Sequence, residues 1–153
     1  MLRLFPLALA VAAATSLSAC QFIRDDINKT LGRGEGPPSA AAATALTQAG
    51  VNPFLWRAAL DTLAFAPIEQ AEPGNRAIQT GWYAPQGNQN ERMRVTAQIL
   101  HTELRADGLR VLAQRQVNQN GQWVEAPVAA ATVQRLEEII LTRARDLSRA
   151  ARV

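Results

Sequence analysis

The side chains best suited to acid–base or nucleophilic chemistry in this 153-residue chain are one histidine and one cysteine. His101 and Glu103 lie two residues apart in a stretch predicted to be a strand from Met93 to Leu104, so the carboxylate could orient the imidazole as a general base. A hydrogen-bonded histidine near a strand end is the commoner outcome of this pattern, and no nucleophile is evident within reach. One imidazole and one thiol cannot form a Cys/His zinc site or an intramolecular disulfide.

The carboxylates show no spacing typical of a metal site or of an acid/base pair. They are scattered along the chain, at Glu69, Glu72, Glu91 and Glu103. The glycines that precede Pro37 follow no predicted strand and begin no helix, so they do not form a phosphate-binding loop. We therefore predict no catalytic residues, no metal and no cofactor, and we expect that the protein is not an enzyme.

The thiol of Cys20 lies directly after an N-terminal apolar segment. Arg3 precedes an apolar run over residues 4–14, which is too short for a permanent membrane span and is typical of a secretory signal peptide. The next segment ends in Leu17, Ser18, Ala19 and Cys20. This pattern resembles the lipobox of bacterial lipoproteins, which implies that Cys20 becomes the first mature residue and carries a diacylglyceryl group. An ordinary signal-peptidase site, which would leave Cys20 as a free thiol, is the alternative.

The lipoprotein resemblance also implies a location and a first partner. Residues 1–19 are then a signal peptide, and the acyl chains hold the protein on a membrane. Gln21 follows the cysteine, whereas an aspartate there would favour the inner membrane, so we expect lipid anchoring at the periplasmic face of the outer membrane. Residues 20–50, rich in glycine, proline and alanine, are predicted to be a flexible tether. The residues leave open whether positions 40–50 are helical.

The charge of the chain argues against nucleic acid as a partner. The formal net charge is +3, and it falls to +2 once Arg3 is removed with the signal peptide. Such a weak field gives little attraction to a polyanion. The hydrophobic fraction of 48% is that of a globular protein and argues against wholesale disorder. The length then allows a single domain over residues 51–153.

The order of predicted elements is helix, strands, helix. Asn52 and Pro53 are typical of a helix N-terminus, and apolar residues recur at helical spacing through Phe65. Alternating stretches separated by turn residues at 73–75, 106–108 and 120–121 predict four or five antiparallel strands. From Val133 to Ala151 an apolar stripe steps by three or four residues and predicts one long helix.

Two exposed features are candidate binding surfaces. The polar side of the last helix carries Arg135, Arg145, Arg149 and Arg152. This side could contact anionic lipid, a cell-wall polymer or an acidic protein. It is equally explained as a solvated helix face, with Arg135–Glu138 and Asp146–Arg149 as ion pairs. Tyr83 is predicted to lie on the opposite sheet face from Trp82 and is the better candidate for an exposed contact.

These elements predict an α+β fold. An antiparallel sheet of four to five strands with one apolar face needs a cover, and an N-terminal and a long C-terminal helix supply it in a helix-grip-like arrangement. Four stretches resemble a domain-of-unknown-function family of proteobacterial lipoproteins: NPFLWRAALDTL at 52–63, GWY at 81–83, ELRADGLRV at 103–111 and LTRAR at 141–145. The architecture remotely resembles the C lipoprotein of the β-barrel assembly machinery, although fold does not determine function.

The function expected from these observations is binding. We expect an accessory or scaffolding lipoprotein of envelope or outer-membrane assembly, whose partner is another envelope protein. The alternative is a small-ligand or lipid binder with a pocket between the long helix and the sheet, which requires a cavity that Leu136, Ile140 and Ala144 do not fill. The sequence indicates neither the identity of the partner nor the oligomeric state.

Overall fold

The computed structural model describes residues 36–85 and 87–153. The predicted signal peptide, Cys20 with Leu17, Ser18 and Ala19, and the tether up to residue 35 lie outside the described residues. Among the helices that are described, none has the length and apolar content needed to cross a bilayer.

One antiparallel sheet of five strands forms the centre of the domain. The strands are β1 (Ile68–Glu72), β2 (Ala77–Thr80), β3 (Glu91–Ile99), β4 (Leu109–Gln119) and β5 (Gln122–Ala126). Each strand pairs with the next one in the chain, so the spatial order equals the sequence order. At the predicted β4–β5 turn, Asn120 and Gly121 have φ values of 53° and 87°. Positive φ at both positions is what a tight hairpin turn requires, and the prediction of a turn here is confirmed.

Three helices accompany the sheet: α1 (Ala40–Gln48), α2 (Pro53–Thr62) and α3 (Ala130–Ala150). The predicted start of α2 is confirmed, because the Asn52 side-chain oxygen accepts the N–H groups of Phe54 and Leu55 at 3.0 and 2.9 Å. The amide of the same side chain donates to the carbonyl of Thr102 at 2.7 Å. Asn52 therefore both begins the helix and attaches it to the loop that follows β3.

The core lies between one face of the sheet and helices α2 and α3. Val95, Ala97 and Ile99 alternate along β3 and are fully buried. Three residues of the apolar stripe of α3 belong to the same core and are also buried, namely Ile140, Ala144 and Leu147. At about 25 cal/mol per Å² of buried apolar surface, this contact is the main stabilising term of the fold. The predicted α+β architecture, with helices on one sheet face, is confirmed.

Helix α1 belongs to the domain and not to the tether predicted for residues 20–50. Leu46 is only 8% exposed and Val51 is completely buried, and both join the core next to α2. Ser39 begins this helix by accepting the N–H of Ala42 at 3.3 Å. The composition of residues 40–50 resembles a linker because most of the side chains are small, and burial of Leu46, together with Val51 directly after this segment, is what orders it.

The segment after β3 differs from its prediction. The strand ends at Ile99 and not at Leu104, and residues 100–108 form a loop that ends in a short 3₁₀ turn, Ala106–Gly108. A Cβ at Gly108 would lie 3.3 Å from the carbonyl oxygen of Glu103, so the loop closes tightly there. Because the strand has ended, His101 and Glu103 do not share a sheet face; both are exposed in the loop.

Candidate functional site

Among the described residues, no helix packs against the second face of the sheet, called the open face below. Successive strand residues point to opposite sides, so the even-numbered positions of β3 lie on the open face. The strand register extends two rows of residues across four strands. The first row is Gln70, Gln79, Thr96 and Leu112, and the second is Glu72, Ala77, Gln98 and Arg110. The open face is thus polar but contains an exposed leucine, since Leu112 is 49% accessible.

At one end of the open face an arginine lies between two indole rings. The guanidinium carbon of Arg92 is 4.7 Å from the ring centroid of Trp82 and 4.3 Å from that of Trp123. Its Nε donates to the side-chain oxygen of Gln116 at 2.8 Å, and the amide of Gln116 donates to Glu125 at 2.7 Å. These contacts hold the guanidinium in one position, because cation–π attraction and a hydrogen bond act on it together. We call Trp82, Arg92 and Trp123 the Arg–Trp cluster.

The electrostatics of Arg92 and of its neighbour Arg94 differ. Arg94 also lies over the ring of Trp82, at 4.8 Å, but it forms an ion pair with Glu69 at 3.2 Å. Arg92 has no carboxylate partner among residues 36–85 and 87–153. Its charge is therefore oriented but not neutralised, and Trp123 beside it is 37% exposed.

The position of Trp82 depends on an irregularity between β2 and β3. From Gln79 to Tyr83 the chain advances four residues, while the partner strand advances three, from Thr96 to Met93. The extra residue forms a β-bulge. There the buried hydroxyl oxygen of Thr80 accepts the N–H of Val95 at 3.0 Å, in place of a backbone carbonyl. The bulge places Trp82 on the open face, beside Arg92.

Tyr83 consequently points to the core side, which corrects the prediction that it is the more exposed of the two aromatic residues. Its ring packs edge-on against Phe65, with centroids 4.9 Å apart, and its hydroxyl contacts the sulfur of Met93 at 3.9 Å. Burial, followed by the nearby negative charge of Glu91, raises the pKa of the Tyr83 hydroxyl. The two neighbouring side chains do lie on opposite faces, as predicted, but the bulge reverses which of them is available for contact.

Three of the four predicted arginines of the last helix come together. Arg145, Arg149 and Arg152 line a shallow hollow of about 320 Å³ with Leu104 and Ser148. Arg135 lies elsewhere on the helix and pairs with Glu138 at 2.7 Å, and Arg149 pairs with Asp146. Both predicted i,i+3 ion pairs are therefore confirmed. Exposed pairs of this type contribute about 0 to 1 kcal/mol and are compatible with an ordinary solvated helix face.

Another ion pair, between Arg115 and Glu91, joins strands β3 and β4 on the helix side of the sheet. The Arg115 guanidinium binds both carboxylate oxygens of Glu91, at 2.5 and 2.9 Å. This hydrogen bonding lowers the pKa of Glu91, and the carboxylate in turn raises the pKa of Arg115. A bidentate pair between neighbouring strands stabilises the register where β3 begins.

The described residues bring no catalytic group of side chains together. His101 and Glu103 are exposed in their loop, and the pKa of nearby Asp107 is lowered chiefly by its hydrogen bond to Arg105. Within the part of the chain that the structure describes, no three His, Cys, Asp or Glu side chains are close enough to hold a metal ion. The charged and aromatic side chains that the structure does bring together are those of the Arg–Trp cluster on the open face.

The sequence alone does not reveal the Arg–Trp cluster, because tryptophans such as Trp82 and Trp123 are more commonly packing residues than parts of a binding site. A signal was available: Arg92 and Arg94 stand in phase on a strand whose alternate positions are apolar. Pairing of Arg92 with Gln116, and of Asn118 with Trp123, then brings the rings to the same face. That second step needs the register of three strands and the bulge at Thr80, which periodicity alone does not provide.

Comparison with known proteins identifies the family. The chain is 32% identical over 97 residues to the uncharacterized protein RP420 of Rickettsia prowazekii (strain Madrid E). That alignment covers 63% of this chain and 58% of the relative, so the chain spans somewhat more than half of the relative's length. Residues 49–149, which include α2, the whole sheet and nearly all of α3, match the model of DUF3576, a domain of unknown function. The chain therefore belongs to the DUF3576 family.

Proposed function

We propose that this protein is a non-catalytic outer-membrane lipoprotein that acts as an accessory or scaffold in envelope assembly, and that it binds another envelope protein through the open face of its sheet. The observation that carries the proposal is the Arg–Trp cluster. Arg92 is held between two indole rings without a carboxylate partner among the described residues, on a sheet face that no helix covers.

The composition of this surface is typical of protein interfaces. Arginine and tryptophan are among the residues most enriched at binding hot spots, where truncation of one side chain to alanine costs about 2 kcal/mol or more of binding free energy. A guanidinium that is already oriented loses little conformational entropy on binding, so more of its interaction energy appears as affinity. The surrounding glutamines provide hydrogen-bond donors and acceptors at the rim.

The membrane location in this proposal comes from the N-terminal sequence. Cys20, with Leu17, Ser18 and Ala19 before it, has the form of a lipidation site, and Gln21 favours export to the outer membrane. An acylated cysteine followed by a flexible tether, which the composition of the residues before α1 predicts, would leave the domain free to meet a partner near the membrane.

The alternative of a ligand pocket between the long helix and the sheet has less support. It requires a cavity beneath α3, yet Ile140 and Ala144 are completely buried and belong to the continuous core. Leu136, one turn earlier, also packs against that core. Beneath this part of α3, the space that a ligand would occupy is filled by the side chains of the helix.

A paired set of variants tests the proposal. The tagged chain is purified from solubilised envelopes, and the proteins that co-purify are compared for wild type, Arg92→Gln and Arg149→Gln. We expect Arg92→Gln to lose a partner that Arg149→Gln retains, because only Arg92 belongs to the Arg–Trp cluster. Urea unfolding of each variant checks that the domain is still folded.

Two outcomes would contradict the proposal. If Arg149→Gln lost the partner while Arg92→Gln kept it, the arginine face of α3 would be the binding surface. If His101→Gln abolished the envelope phenotype in a protein of unchanged stability, a catalytic role for the imidazole would replace binding. We expect His101→Gln to leave the phenotype intact, since His101 is exposed in a loop and no catalytic partner surrounds it.

A further inference from the structure

Part of strand β4 has a free edge. Strand β5 pairs with β4 only from Gln119 to Arg115, where Arg115 lies opposite Ala126. The first part of β4, from Leu109 to Ala113, therefore pairs with β3 on one side and, among residues 36–85 and 87–153, with no strand on the other. A free strand edge presents unpaired peptide groups that can bind another extended chain.

The direction of the peptide groups follows from the hydrogen bonds at the two ends of the β3–β4 hairpin. The N–H of Leu100 donates to the carbonyl of Gly108 at 2.8 Å, and the N–H of Asn118 donates to that of Asn90 at 2.8 Å. Even-numbered residues of β4 thus face β3. Because the direction alternates along an antiparallel strand, Val111 and Ala113 direct their N–H and C=O groups to the free edge.

A side chain from α3 forms a hydrogen bond with one of these peptide groups. The carboxylate of Glu137 accepts the N–H of Val111 at 2.8 Å, at the place where a neighbouring strand would supply a carbonyl. The next N–H on this edge, that of Ala113, has no such acceptor among the described residues. Glu137 therefore satisfies one N–H group of the free edge and leaves that of Ala113 available to a partner.

The free edge forms the floor of a groove. The groove has a volume of about 500 Å³ and lies between β4, the end of β5 and the first turns of α3. Its walls are small and apolar, with Ala113, Ala126, Val128, Ala130 and Val133 among the lining residues. Small walls leave room for the side chains of an incoming strand, and the volume is within the range of about 300–1,000 Å³ typical of ligand clefts.

The charge at the groove is negative. Glu125 lines the groove, and Glu137 binds the N–H of Val111, which also lines it. Neither carboxylate forms an ion pair within the part of the chain that the structure describes, although Glu125 accepts the side-chain amide of Gln116. The cation in the lining, Arg115, is already engaged by Glu91. A basic side chain on the occupant would complement these two carboxylates.

We propose that this groove binds an extended segment of a partner protein, which adds to the free edge of β4 beside Ala113 and extends a lysine or arginine toward Glu125 or Glu137. Strand addition of this kind takes its affinity from main-chain hydrogen bonds and its specificity from alternate side chains. A second β4 would bring its own β5 and α3, which flank the edge, so a slender segment fits better than a second copy. This inference rests on the free edge of β4 and not on the Arg–Trp cluster, although the two surfaces adjoin at Glu125, which accepts the side-chain amide of Gln116.

The test uses the full 15N-labelled chain in detergent and a capped seven-residue peptide of alternating lysine and valine. We expect the peptide to protect the amide of Ala113 from hydrogen exchange. Two further peptides carry N-methyl groups, one on the valine amides and one on the lysine amides. Since only one set of amides faces β4, one methylated peptide should bind and the other should not.

Matched variants locate the contact. Ala130→Trp places a large ring in the groove, whereas Ala131→Trp places it on the same exposed helix turn but outside the lining residues. We expect Ala130→Trp to weaken peptide binding at least about tenfold and Ala131→Trp to have no effect. Glu125→Gln should weaken binding of the lysine peptide more than that of a peptide with serine in place of lysine.

Three results would overturn the inference. They are an Ala113 amide that stays unprotected at millimolar peptide, equal binding of the two methylated peptides, and equal loss of binding in the two tryptophan variants. None of them bears on the Arg–Trp cluster, so failure here is distinguishable from failure of the proposed function.

Discussion

Replacing Thr80 by valine should destabilise the domain and disturb the open face. Thr80 is completely buried, and its hydroxyl oxygen is the acceptor for the N–H of Val95 at the β-bulge. Valine has nearly the same shape but no acceptor. The N–H of Val95 would then be buried without a hydrogen-bond partner, which costs about 1–3 kcal/mol.

The stability change is measured by equilibrium unfolding in urea of the chain without its predicted signal peptide. A lower midpoint with an unchanged slope would show a change in stability alone. The control is Thr96→Val on the open face, where the threonine is half-buried and makes no side-chain hydrogen bond within the described residues, so we expect a change within about 0.5 kcal/mol. Thr80→Ser keeps the acceptor and should keep the amide of Val95 protected from exchange, despite the loss of one methyl group.

The reasoning would be refuted if Thr80→Val were as stable as the wild type. It would also be refuted if the Val95 amide exchanged equally slowly in the valine and serine variants. If the hydroxyl does maintain the bulge, Trp82 should lose its fixed position in Thr80→Val, which near-ultraviolet circular dichroism detects through the tryptophan bands.

Three other predictions concern acid stability, the first helix and the lipid anchor. The pKa of Glu91 is lowered below its ordinary 4.5, so the ion pair with Arg115 stabilises the fold above pH 4.5 and this stabilisation is lost as the pH falls through the lowered pKa. The stability difference between wild type and Arg115→Gln should therefore shrink in acid, and a pH-independent difference would contradict this. Leu46→Ala should lower the free energy of unfolding in urea by about 2 kcal/mol, because Leu46 anchors α1 in the core. A change near zero would contradict the assignment of α1 to the domain. Cys20→Ala should yield a soluble or unprocessed precursor, and unchanged fractionation with the outer membrane would refute lipidation.

Local patterns in the sequence were sufficient for the elements of the domain. Asn52 with Pro53 marks a helix start because both act within one helical turn, and the Asn120–Gly121 turn needs only the conformational freedom of two residues. The stripe of α3 is read from a period of 3.6 residues. The fold class follows from these elements, since an amphipathic sheet must be covered on its apolar face.

Only the tertiary structure decided which side chains lie together on the open face. At the β-bulge, the hydroxyl oxygen of Thr80 accepts the N–H of Val95, a residue of another strand. The bulge places Trp82 on the open face and Tyr83 on the core side, although Tyr83 was predicted to be the exposed residue. Helix α1 forms part of the domain because Leu46 finds a core built from residues much later in the chain. Each of these outcomes depends on contacts between segments far apart in sequence, whose alignment no local pattern encodes.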